Sequence, residues 1–124
     1  MFISSLIPIP KPLKSQSTVF DLKERLEWGE PALTIIDVRS RDAFNTKRIS
    51  GALSIPMTEL VGRVSASLEM VRDIYVYGDN DEHTAEAAAQ LRDAGFSNVA
   101  EIIGGLPAWQ AVKGPIEGPL ALAA

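Results

Sequence analysis

Residues Gly78–Thr84, "GDNDEHT", set three carboxylates beside the chain's one histidine. Asp79, Asp81 and His83 alternate along this stretch, so a curled loop could turn two carboxylates and an imidazole toward a divalent cation or another small ligand. His83 beside an acid is also the composition of a general base. A plainer reading competes with both. The stretch has no recognised metal-ligand spacing and no serine nucleophile. Acids at a helix start favour its dipole, and Asp81 or Glu82 can cap free N–H groups without any ligand. Thr84 reads as a helix-start residue, so the residues predict no metal and no cofactor.

The elements on either side decide where this stretch lies. "DIYVYG" (Asp73–Gly78) is a β-branched and aromatic run, and Ala85, Ala88, Leu91 and Ala94 then recur at helical spacing until Gly95. "ALTIIDV" (Ala32–Val38) is nearly unbroken apolar sequence, the pattern of a strand covered on both faces. "GALSIP" (Gly51–Pro56) and "NVAEII" (Asn98–Ile103) read as further strands. Thr18 is placed as an N-cap with Asp21 in capping-box spacing, and Val19, Leu22 and Leu26 share one face of a helix that Gly29 ends. "RDAFNTK" is a short helix, Met57–Leu68 is helical with an interruption at Gly62, and "GGLPAWQAV" opens the last helix. Trp28, near a helix end, is expected to be partly exposed.

Strands alternating with helices predict a mainly parallel sheet with helices on both faces, a three-layer α/β/α sandwich. Ligands of such folds sit beyond the carboxyl ends of the strands, where Gly78 falls. Residues 1–17 hold Pro8, Pro10 and Pro12 and are read as an extended arm or edge strand. Residues 18–112 form one domain, and the tail 113–124 is read as irregular.

Composition narrows the function classes. The chain has 124 residues, 46% of them hydrophobic and 23% charged, with a formal net charge of −4. That balance suits a globular domain and argues against nucleic acid as a partner. Cysteine is absent, which removes disulfides, thiolate metal sites and every thiol-based covalent mechanism. No apolar run is long enough to span a membrane, and the expected location is the cytoplasm.

Three separated segments resemble the rhodanese-like (sulfurtransferase) domain family. "IIDVRSRDAFNTKRISGALSIP" is similar to its amino-terminal signature through Asp37, Val38, Arg39, Phe44, Ile49, Gly51, Ala52, Ile55 and Pro56. "IYVYG…TAEAAAQLRDAGFSNV" resembles the strand, active loop and following helix. "IIGGLPAW" is similar to the closing signature through Gly104, Gly105 and Trp109. The resemblance implies a persulfide-forming cysteine, a loop of four residues, an arginine and then Ser or Thr. Those positions hold Gly78, His83 and Thr84 here. Lys47-Arg48 replace a Gly-His pair, Ser50 a proline, and Ala43 a glutamate.

Without the nucleophile and the arginine, and with Asp79, Asp81 and Glu82 repelling anionic donors, the resemblance implies an inactive member. The expected function is a protein-binding or regulatory module, its partner meeting the degenerate loop 78–84. Asp37, Arg39, Gly51, Gly104, Gly105 and Trp109 are expected to be structural. A structural or oligomer-forming domain, associating as a homo-oligomer through the arm, is the alternative, alongside the cation or small-ligand site at 79–83.

Overall fold

The structure, a computed structural model, describes residues 13–29 and 32–119. The proline-rich stretch Met1–Pro12 of the expected arm and residues 120–124 of the tail lie outside the described residues.

The sheet is built from β1 (Gln16–Ser17), β2 (Leu33–Asp37), β4 (Leu53–Ser54), β5 (Asp73–Tyr77) and β6 (Val99–Ile102), in the spatial order β1-β6-β5-β2-β4. Every pairing within it is parallel. The helices are α1 (Val19–Glu27), α2 (Arg41–Thr46), α3 (Leu60–Ser67), α4 (Asp81–Asp93) and α5 (Gly105–Ala111). A separate two-stranded antiparallel ribbon joins β3 (Arg48–Ile49) to β7 (Ile116–Glu117).

Strand periodicity divides the core in two, because successive side chains point to opposite faces. Ile36, Ile74 and Val76 face Leu60 and Val64 of α3 and Ala87, Ala88 and Leu91 of α4. Ile35, Tyr75 and Tyr77 face Val19 and Leu22 of α1 and Leu106 and Trp109 of α5. These layers form the mixed α/β sandwich the sequence predicts. The central strands are buried on both faces, which explains their near-continuous apolar sequence.

Several local expectations differ from the structure. Gly62 lies inside α3 and does not interrupt it. A glycine costs a helix about 1 kcal/mol, and the buried Leu60 and Val64 one turn apart hold this one. On α4 the buried face is Thr84, Ala87, Ala88 and Leu91, while Ala85 is exposed. Leu26 is 37% exposed and Trp28 76% exposed, so α1 buries Val19 and Leu22 alone. Thr18 does cap α1, its hydroxyl accepting from the Asp21 N–H.

The segment after Lys113 is not wholly irregular. Ile116–Glu117 pairs with β3, and the Pro115 carbonyl accepts hydrogen bonds from the Ser50 N–H and the Trp109 indole. Isolated propensity could not show this, since a two-residue strand is defined by its partner.

Candidate functional site

Strand β5 delivers Tyr77 and Gly78 to the carboxyl edge of the sheet, and α4 begins three residues later. Asn80, within the degenerate loop 78–84, is the N-cap of α4. Its side-chain oxygen accepts from the His83 N–H at 2.9 Å, and its carbonyl accepts from the Thr84 N–H at 3.0 Å. Thr84 is 1% exposed; its hydroxyl donates to the Asn80 carbonyl and accepts from the Gly78 N–H at 2.8 Å. Part of the loop's backbone N–H set is therefore engaged by the loop's own side chains.

The acids do not converge. Asp81 reaches across to the turn before α5, where its carboxylate accepts from the Gly104 N–H at 2.9 Å. Asp79 Oδ2 lies 3.8 Å from His83 Nδ1, with side chains 61% and 52% exposed. Glu82 is exposed. Among the described residues no three His, Asp or Glu side chains gather closely enough to hold a metal ion.

Gly78 sits among close neighbours. A Cβ built there would stand 3.1 Å from His83 Cβ, 3.3 Å from Val38 Cγ2 and 3.4 Å from the Thr84 nitrogen. Gly104 and Gly105 turn at φ +80° and +54°, left-handed values that disfavour a side chain. A Cβ on Gly105 would lie 3.5 Å from the Gly78 carbonyl oxygen, so the two turns nearly touch. Gly51 turns at φ +86° between β3 and β4 and is not part of this group.

Asp37 and Arg39 stand behind the loop. Asp37 is fully buried at the end of β2. Its carboxylate accepts from the Arg39 backbone N–H and Nε at 2.9 Å each and from Nη2 at 2.6 Å. Arg39 Nη2 also donates to the Lys47 carbonyl at 2.7 Å, and the guanidinium lies 5.4 Å from the Tyr77 ring centre. Burial alone would lower the Arg39 pKa, but its hydrogen bonds to Asp37 and that charge carry it above its ordinary value. Through Nε and Nη2 the guanidinium is bonded to the Asp37 carboxylate and the Lys47 carbonyl.

Tyr77 was not singled out in the sequence, where it reads only as an aromatic strand residue. Its ring is fully buried, and its hydroxyl accepts from the Ile49 N–H at 3.1 Å. Burial, reinforced by the Asp37 carboxylate, pushes its pKa well above the ordinary tyrosine range. A phenol whose folded pKa is raised keeps its stabilising effect below its unfolded pKa, about 10, and loses it as pH rises toward the folded value. Urea denaturation is therefore expected to show stability falling as pH climbs past about 10, with a shallower fall in Tyr77→Phe. At neutral pH that substitution orphans the Ile49 N–H and should cost about 1–3 kcal/mol.

The fold and site together define a parallel α/β domain with a strand–loop–helix centre that holds no cysteine. The chain belongs to the rhodanese-like domain family, whose profile matches residues 18–112. It is similar to the rhodanese-like domain of an Anabaena sp. protein, with 55% identity and a TM-score of 0.83, covering 86% of this chain and 80% of that one. It is 29% identical over 79 residues to the thiosulfate sulfurtransferase GlpE of Coxiella burnetii, covering 64% of this chain and 73% of that protein. An adenylyltransferase and sulfurtransferase of maize (Zea mays) is 32% identical over 104 residues, 79% of this chain but 21% of the relative. The chain thus spans about a fifth of that relative's length. This chain has no cysteine, so no cysteine persulfide can form on it. Among the described residues no helix is long and apolar enough to cross a membrane.

Proposed function

We propose that this rhodanese-like domain is not an enzyme and acts in the cytoplasm as a protein-binding or regulatory module. One observation carries the reading. The loop after β5 is capped by Asn80 and exposes the acidic stretch 79–83, at the place where the resemblance puts Gly78 in the cysteine position and His83 in the arginine position. The scaffold behind it keeps its buried Asp37–Arg39 pair.

Asp79, Glu82 and His83 lie at the surface at the head of α4. A basic patch on a protein partner would complement the two acids, and salt would weaken that contact. The anionic sulfur donors of the family's enzymes would meet repulsion there instead.

The test uses Asp79→Lys/Glu82→Lys, which spares the Asp81 bond to the Gly104 N–H. Partners captured from cell extract by wild type and variant are compared by quantitative mass spectrometry at low and high salt. The expected result is a set of proteins whose capture falls about tenfold in the double variant and declines with salt in wild type. Equal capture by both proteins at every salt concentration would overturn the reading.

A further inference from the structure

We propose that residues 113–118 form a strap whose docking sets the position of the degenerate loop 78–84. It joins the carboxyl-terminal segment to the site through two separate walls. The proposal does not depend on the loop having a partner.

The first wall runs through β3. Ile116 and Glu117 pair with Ile49 and Arg48. The Glu117 carboxylate accepts from the Ser50 hydroxyl at 3.2 Å and the Gly51 N–H at 3.4 Å, and lies 3.4 Å from Arg48 Nε. Ile49 then donates its N–H to the Tyr77 hydroxyl. Tyr77 is the last residue of β5, and the next residue is Gly78. The strap thereby fixes the strand end from which the loop departs.

The second wall runs through α5. Gly114 lies flat against Trp109, so close that a Cβ there would overlap the indole ring. The Pro115 carbonyl accepts from the indole N–H at 2.7 Å. Trp109 is fully buried on α5, whose first turn follows Gly104. The Gly104 N–H holds Asp81, the first residue of α4. A shift of the strap moves both neighbours of the loop.

The strap is built to release more readily than the core. Its ladder has two residue pairs, and an isolated two-stranded ribbon is marginal in water. The Glu117 side chain is 46% exposed. Lys113 holds a left-handed φ of +59° and Gly118 one of +115°. Such a segment belongs to the low end of the local-opening scale, well below global unfolding.

The experiment measures amide hydrogen exchange of the whole chain by NMR. Four bonded amides report on the loop: Gly78, His83, Thr84 and Gly104. Glu117→Ala removes only the surface anchor. It is expected to speed exchange at Ile49 and at these four amides by about tenfold, with Ile36 and Val76 in the central strands unchanged. Gly114→Ala, which displaces the Trp109 ring, should give the same pattern with a shifted tryptophan emission. Should Gly114→Ala fail to fold, Glu117→Ala decides alone. Faster exchange confined to Arg48–Gly51, with the four loop amides at wild-type rates, overturns the proposal. A uniform rise at every amide, central strands included, also overturns it.

Discussion

Gly78→Cys/His83→Arg is expected to move sulfur from thiosulfate to cyanide at least about tenfold faster than Gly78→Cys alone, with wild type at background. Wild type supplies no thiol anywhere. The backbone at Gly78 is not left-handed, so a cysteine is strained there only by its contacts. Those contacts, at 3.1–3.4 Å, require neighbours to yield by a few tenths of an ångström. The new thiol would stand at the head of the thirteen-residue α4, whose dipole favours a thiolate.

Electrostatics explain why the single substitution is not enough. Asp79 and Glu82 lie at the same helix head and oppose both the thiolate and an anionic donor. Two unit charges 4 Å apart interact by about 1 kcal/mol in water, and more when desolvated. An arginine at residue 83 would instead hold a guanidinium that stays cationic throughout the working pH range. One added charge interaction of about 1.4 kcal/mol is a factor of ten. Thiocyanate release by wild type above the uncatalysed rate would contradict the inactive reading at its root. Equal rates for single and double variants would show that the potential at residue 83 does not matter.

Much of this architecture was legible because it is written in local chemistry. The apolar runs around Ile35–Ile36 and Ile74–Val76 are doubly covered strands, and the Thr18 and Gly29 helix ends are set by capping and left-handed backbone. What could not be read depends on contacts distant in sequence. Asp81 looks like one acid among three until the fold brings the Gly104 N–H to it across 23 residues. Tyr77 gains its role only when Ile49 arrives above it, and β7 has no intrinsic strand signal in two residues. On α4 the expected face holds at Ala88, Leu91 and Ala94 but not at Ala85, because alanine marks Ala85 and Ala88 alike and only packing against the sheet separates them.

Asp37→Ala is expected to cost about 3–5 kcal/mol, the range for breaking a buried ion pair from one side. A domain of this size has about 5–15 kcal/mol in total, so the variant should sit near the edge of folding at room temperature. The cost is large because Arg39, 12% exposed in its side chain, would keep, among the described residues, only the Lys47 carbonyl and the Tyr77 ring as partners. The backbone N–H of Arg39 would lose its acceptor too. Asp37→Asn retains an oxygen for that N–H and should cost less, about 1.5–3 kcal/mol for a charge-assisted hydrogen bond. Exposed Asp79→Ala should stay within about 0.5 kcal/mol. Urea denaturation midpoints at constant m-value order the three variants. A cost below about 1 kcal/mol for Asp37→Ala would show that the pair is dispensable to the fold. The expected order carries a consequence for the loop. That order would mean the Asp37–Arg39 pair is demanded by burial whether or not sulfur is ever transferred, whereas the solvent-exposed residues 79, 82 and 83 can change without cost to the fold. A rhodanese-like chain can therefore lose the reaction and keep the signature that announces it.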